Sequence, residues 1–226
     1  MSSPRALDGR RFVVSAGPTY EDIDPVRFLG NRSSGRMGFA IAAAAARRGA
    51  AVVLVAGPVS LPTPDGVARI DVRSAAQLHA AVLDALPADA YIGAAAVADW
   101  TPAAPATGKL KKQAGVDRLV LEFARTVDVL ADVARHPSRP RLVVGFAAET
   151  TGDLAAHARA KLRDKGVDAI AANRVGVAGS GFEADDNTLE VHWGAGSRTL
   201  GPAPKTELAE QLLDLFATLG PSRDVA

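Results

Sequence analysis

The chain of 226 residues contains no cysteine. That removes disulfides, thiolate zinc sites and cysteine nucleophiles together, and it fits a reducing cytosol, so the expected location is cytoplasmic. Histidine is scarce as well, with four residues and none paired at ligand spacing. Any metal is therefore expected to be a hard cation held by carboxylates and phosphates. Neither sign of charge dominates. The 26 Lys and Arg against 25 Asp and Glu give a formal net charge of +1, which argues against both nucleic acid and a membrane surface as partners. No apolar run reaches the roughly 18 residues of a membrane span, and the longest alanine-rich stretch is cut by Arg47 and Arg48. The polar start, Met1 to Arg11, has no apolar signal core.

What is present is an alternation of strand and helix signals. Arg11 to Ala16 is a β-branched run that stops at a Gly-Pro turn, and reads as the first strand. A long loop, Gly17 to Arg36, precedes an alanine-rich helix from about Met37 to Arg48, closed by Gly49. Ala51 to Ala56 is apolar throughout and bounded by glycines, as a buried parallel strand should be. Ser74 caps the next helix, and Asp89 to Ala96 gives a third strand. There follow an expected strand Arg118 to Phe123, a helix Val127 to Arg135, a strand Arg141 to Ala147, a helix Thr151 to Lys165 and a strand Asp168 to Ala172. This rhythm predicts an α/β fold, a Rossmann-like, doubly wound and mainly parallel sheet with helices on both faces. Two stretches break it. Residues 101–117, rich in Pro, Lys and Gly, read as a flap loop. Thr188 to Leu200, turning at Gly194 and Gly196, reads as a C-terminal hairpin, followed by a last helix from about Thr206 to Leu219 that ends at Gly220. With no repeat and no low-complexity linker, residues 1–226 are expected to form a single domain, with 1–10 flexible.

Three constellations could carry chemistry. In the loop after the first strand, Gly30, Gly35 and Gly38 permit close backbone approach, and Ser33 and Ser34 stand just before a helix N-terminus. That is an anion site by chemistry, or else a glycine-rich turn with capping serines. The run Gly93 to Asp99 leaves room for a flat base or ribose, with Asp99 able to accept from hydroxyls or help hold a cation; it also reads as a tightly packed strand with a cap. In the helix after Gly145 to Thr150, Lys161 and Lys165 point within about 20° either side of Leu154, at about 100° per residue. Leu154, Ala158 and Leu162 form the apolar stripe, so two ammonium groups sit at its edge. A polyphosphate could be their partner, and snorkelling to solvent is the competing account.

Together these residues resemble the phosphopantothenate–cysteine ligase family in its bacterial form, from Phe12 to about Leu219. The segments that carry the resemblance are Ile23 to Arg27, Asn31 to Gly35, Ala95 to Asp99, Lys109 to Gln113 and Gly145 to Thr150. The resemblance implies a homodimer that works with magnesium in two steps. The carboxylate of 4′-phosphopantothenate attacks the α-phosphorus of CTP, giving an acyl-cytidylate and pyrophosphate, and the amine of L-cysteine then displaces CMP. It further implies that Asn31 and Lys109 are the catalytic pair, and that Gly30, Arg32, Ser33, Ser34 and Gly35 join Asn31 around the acyl substrate. Gly93, Ala94, Ala95, Asp99, Val127, Asp128, Val129, Leu130, Phe146, Lys161 and Lys165, with Lys109, would hold the nucleotide. Asp99 or Asp128 would ligate Mg2+. Departures from the family pattern are Gly17-Pro18 for Gly-Gly, Arg36 for a common lysine, and Thr126-Val127 for Asn-Pro. Many bacterial relatives carry a flavin-dependent decarboxylase domain, fused or separate. No residues here correspond to it, so no flavin is expected in this chain.

Two rival readings compete with this one. A Rossmann-type oxidoreductase needs a tight G-x-G-x-x-G turn after the first strand and an acidic residue ending the second. Gly17 starts no such turn, the second strand ends Val55-Ala-Gly-Pro, and neither Tyr20 nor Tyr91 has a lysine four residues on. A nucleotide-binding module without catalysis keeps the same loops but needs neither Asn31 nor a lysine flap.

Overall fold

The computed structural model describes residues 6–112, 117–150, 152–174, 186–194 and 196–219. β1 (Arg11–Ala16) leads into a short antiparallel ribbon, β2 (Tyr20–Asp22) and β3 (Phe28–Gly30), and then α1 (Arg36–Arg47) and β4 (Ala51–Ala56). β5 (Val67–Asp71), α2 (Ala75–Asp84) and β6 (Ala90–Gly93) follow, then a second ribbon of β7 (Trp100–Pro102) and β8 (Phe123–Arg125). The chain continues through α3 (Val129–Arg135), β9 (Leu142–Glu149), α4 (Leu154–Lys165), β10 (Ala169–Arg174), β11 (Asp186–Trp193), β12 (Gly196–Pro204) and α5 (Lys205–Thr218).

Eight strands form one sheet in the order β12-β11-β10-β9-β6-β1-β4-β5. Pairing is parallel from β5 across to β10, and the last two strands turn antiparallel. Alternation along β1 divides the core. Phe12, Val14 and Ala16 face α1 and α5, whereas Val13 joins the layer of α2, α3 and α4. The sheet is thus covered on both faces, which is why β4 is apolar throughout and β1, apart from Ser15, is apolar from Phe12 to Ala16. α1 lies very close to β1: a Cβ on Gly38 would stand 2.5 Å from Ala16 Cβ.

The expected strands Arg11 to Ala16 and Ala51 to Ala56 match residue for residue. Ser74 caps α2 in a full capping box with Gln77. The hairpin is there, longer than expected and at the sheet edge. Three expectations need correction, and one strand was not expected at all. The loop Gly17 to Arg36 contains the β2–β3 ribbon. β5, a mostly exposed edge strand, has no strong apolar pattern to announce it. The strand expected at Arg118 to Phe123 is displaced to Phe123–Arg125, because its partner is Trp100–Pro102 and register follows that pairing. α4 starts at Leu154, because Asp153 is its N-cap and accepts from Ala155 N and Ala156 N, while Thr151, the expected start, lies outside the described residues.

Residues 6–9 of the segment expected to be flexible form a turn, with Leu7 N donating to the Arg48 carbonyl. Residues 1–5, 113–116 and Gly220 lie outside the described residues. Of the expected flap, Thr101 and Pro102 belong to β7, and Leu110 is tied down: its N–H donates to Asp24 Oδ2, and its carbonyl accepts from Arg27. Bonds from Arg27 hold the buried Asp24 carboxyl well below its ordinary range.

Candidate active site

The chain moves outward from β1 to β4 and β5, then returns to the other side of β1 with β6. At such a switch the two loops leaving the carboxyl ends of adjacent strands diverge and leave a crevice. Here the loops after β1 and β6 line a cavity of about 840 Å³.

Hydrogen bonds fix its walls. Ala94 N donates to the Ser15 carbonyl, Ala96 N to the Gly17 carbonyl, and Ala98 N to Thr19 Oγ1, so the run after β6 lies along the run after β1. Asn31 crosses the crevice, its amide donating to the carbonyls of Ala96 (3.2 Å) and Val97 (3.0 Å). The backbone of α1 opens onto the same space. Gly35, at φ 75°, is its N-cap, and no side chain caps the helix. The helix N-terminus, with the positive end of its dipole, therefore faces the cavity beside Ser33 and Ser34, an arrangement that attracts anions. On the floor, Ser15 Oγ and Tyr91 Oη are 3.0 Å apart. Burial pushes the Tyr91 hydroxyl up to about 12 against the bond from Ser15, so it stays protonated.

α3 and α4 supply the charged wall. Asp128 caps α3 through Oδ1, which accepts from Ala131 N, and its Oδ2 is paired with Lys165. Lys161 Nζ donates to Glu149 Oε1 at 2.9 Å. That bond, with help from His157 and against desolvation, lowers the Glu149 carboxyl below its usual range. Both lysines thus have carboxylate partners. Asp99 differs: its carboxylate lines the cavity and has no partner among the described residues.

Of the expected site residues, Asn31, Arg32, Ser33, Ser34 and Gly35 line this cavity, as do Gly93, Ala94, Ala95, Asp99, Val127, Asp128, Val129, Leu130, Phe146, Lys161 and Lys165. Two do not. Gly30 packs under the Tyr20 ring, where a Cβ would come within 2.6 Å of Cδ1, and Lys109 is exposed outside the wall. The cavity also takes in residues that sequence reasoning missed: Ser15 and Tyr91, Trp100 and Arg125 on the second ribbon, and Asn173, Asn187 and Lys205 toward the sheet edge. Ser15 and Tyr91 had a signal, since they stand near the ends of the strands that flank the switch. Asn187 and Lys205 had none, because only the antiparallel edge brings them round. Among the described residues no cluster of three or more His, Asp or Glu could hold a metal by itself. No described helix is long and apolar enough to cross a membrane.

Comparison with known proteins identifies relatives of this chain. The chain is 46% identical over 215 residues to the coenzyme A biosynthesis bifunctional protein CoaBC of Vibrio cholerae, covering 95% of this chain and 54% of that protein. With the Escherichia coli protein of the same name it shares 48% over 208 residues, 91% of this chain and 51% of the other. It therefore spans about half the length of the curated relatives it matches. The crystal structure of the C-terminal domain of a CoaBC protein superimposes with a TM-score of 0.78 at 37% identity, covering 94% of this chain and 96% of that one. A Cab2 mutant in complex with phosphopantothenate-cysteine shares the fold, with a TM-score of 0.74 at 15% identity, covering 93% of this chain and 86% of its own. The family model described as the DNA/pantothenate metabolism flavoprotein C-terminal domain matches residues 7–219, and the chain belongs to that family.

Proposed function

We propose that this chain is a phosphopantothenate–cysteine ligase of coenzyme A biosynthesis that uses CTP and works with Mg2+ as a cytoplasmic homodimer. The observation that carries the reading is the switch-point cavity, which combines an uncapped helix N-terminus, a small-residue pocket and two lysines around one space. Such a cavity suits a polyphosphate nucleotide beside a second anionic substrate. The names of the full-length relatives, and the ligand named for the Cab2 complex, supply the substrate class.

Reaction begins when a substrate carboxylate oxygen bonds to the α-phosphorus of CTP and the bond to the β-phosphate oxygen breaks, releasing pyrophosphate. The cysteine amine then adds to the acyl carbon, loses a proton, and CMP leaves with the bonding pair. The chain's part is to position and to stabilise charge. Lys161 and Lys165 bind the phosphates, the α1 N-terminus and Ser33 and Ser34 hold the acyl substrate, and Asn31 orients the reacting carbonyl while joining the two loops. Lys109 offsets charge growing on the phosphate, which requires the 103–112 segment to close over the cavity. Of the two expected metal ligands, Asp99 fits better, because both oxygens of Asp128 are engaged. Mg2+ bound there with the phosphates would neutralise their charge.

The homodimer is supported by exposed apolar side chains on and beside the two ribbons: Val26, Phe28, Leu29 and Trp100. The Tyr20 and Phe28 rings stack at 3.9 Å. A surface of this kind suits a second copy of the chain, which light scattering of the purified protein checks. The stance of Lys109 outside the cavity favours one alternative, a module that binds nucleotide without turnover. Pyrophosphate release separates the two. With 4′-phosphopantothenate and Mg2+, release is expected with CTP and not ATP, followed by a cysteine-dependent amide product. Lys109→Ala is expected to lower release about 100-fold in a folded dimer; unchanged release removes Lys109 from the mechanism, and no release by the wild type leaves the binding module.

A further inference from the structure

Lys161 and Lys165 share the cavity wall, yet their carboxylate partners do different things. Asp128 is built into the fold, since the oxygen not used by Lys165 caps α3. Glu149 ends β9 outside the cavity lining, and among the described residues it meets only Lys161 Nζ at 2.9 Å and His157 Nδ1 at 3.4 Å. Among the described residues it accepts no backbone N–H and caps no helix. Its carboxylate is well shielded, 20% exposed, whereas the Lys161 side chain is 43% exposed and open to the cavity. An ammonium held this way is already neutralised before any ligand arrives. A polyphosphate with several charges can take it over, because it brings more negative charge to the same point than one carboxylate does.

We infer that Glu149 is an exchangeable counter-ion: it holds Lys161 at the cavity wall in the free protein, yields it to the polyphosphate of the nucleotide, and takes it back as pyrophosphate leaves. Glu149 is thus a positioning residue that weakens polyphosphate binding and speeds release of the product. No bond is made or broken in the exchange. The identity of the polyphosphate rests on the ligase reading, whereas the exchange rests on the geometry of Glu149, Lys161 and the cavity.

The test is calorimetric binding of inorganic pyrophosphate, with Mg2+, to wild type, Glu149→Gln, Lys161→Gln and the double variant, alongside KM for CTP. Gln keeps the shape and the acceptor oxygen while removing the charge, and thermal melts establish that each variant is folded. Glu149→Gln is expected to bind pyrophosphate about three- to fivefold more tightly and to lower KM for CTP in step, with kcat falling where release limits turnover. In the Lys161→Gln background the same change is expected to do nothing. Weaker or unchanged pyrophosphate binding in Glu149→Gln overturns the inference, and so does an effect that persists without Lys161. If the wild type binds pyrophosphate under this control of Glu149 but never turns CTP over, the inference stands and the ligase reading falls.

Discussion

Arginines hold one side of this molecule together, and lysines line the other. Between α1 and α5, Arg48 is buried and makes a forked contact with Glu210 (2.8 and 2.6 Å), a third bond to Asp214 and a fourth to the Glu210 carbonyl. Arg47 adds its own bond to Glu210. At the cavity, Lys161 and Lys165 each meet a single carboxylate and stay partly open to water. A guanidinium presents donors in a fixed plane and locks two helices in register, while an ammonium on a flexible stem is a point charge that can change partners. The same kind of pair therefore serves cohesion where it is fully engaged and enclosed, and binding where it is left accessible.

The sharpest way to break this contrast is Arg48→Ala. It strips Asp214 of its partner, leaves Glu210 with Arg47 alone, and leaves a gap between α1 and α5. Loss of a fully buried partner costs about 3–5 kcal/mol, and because Glu210 and Asp214 reach water the expected cost here is about 2–3 kcal/mol. Urea unfolding reads it, and KM for CTP is expected to be unchanged below the transition. The converse is Lys165→Met. Its pair is half-exposed, so stability should change by less than about 1 kcal/mol, while pyrophosphate affinity drops about tenfold. If stability collapses and binding holds, the division between the two regions is wrong.

A smaller effect comes from pH. Burial raises the Glu210 carboxyl, but bonds from Arg47 and Arg48 outweigh it and the net shift is downward. Glu149 is lowered as well, chiefly by Lys161. A carboxyl whose folded pKa lies below its unfolded value, about 4.3 for Glu, stabilises fully above that value and loses its contribution as pH falls through the folded one. Neither group should make stability vary between pH 8 and about 5.5. Below about pH 4 the urea midpoint should fall, and somewhat less steeply in Arg48→Ala, where Glu210 keeps Arg47 but has lost Arg48, one of the two partners that lower it.

Much of the fold was legible because it rests on local chemistry. Runs such as Arg11 to Ala16 and Ala51 to Ala56 are too apolar and β-branched to be anything but buried strands, and Ser74 marks a helix start. What misled was pairing at a distance. Phe123–Arg125 is a strand only because Trp100–Pro102 lies beside it, and Val67–Asp71 only because β4 offers an edge. The site divides the same way. The glycine and serine loop and the run Gly93 to Asp99 were visible, since small residues and turns before helices leave a local signature. Asn173, Asn187 and Lys205 were not, since nothing near them in sequence points toward the cavity.

The sequence by itself determined the alternation of the main strands and helices, the covered parallel sheet, and the loops from which a site could be built. Apolar periodicity, caps and glycines act over a few residues, and a few residues are enough to set them. Only the tertiary structure decided that the chain reverses its winding at β1, that Asn31 bridges the loops on either side of the switch, and that Lys161 and Lys165 meet Glu149 and Asp128. Those contacts join residues 12 to 66 positions apart. A charge has no partner until the packing of the sheet and its helices supplies one.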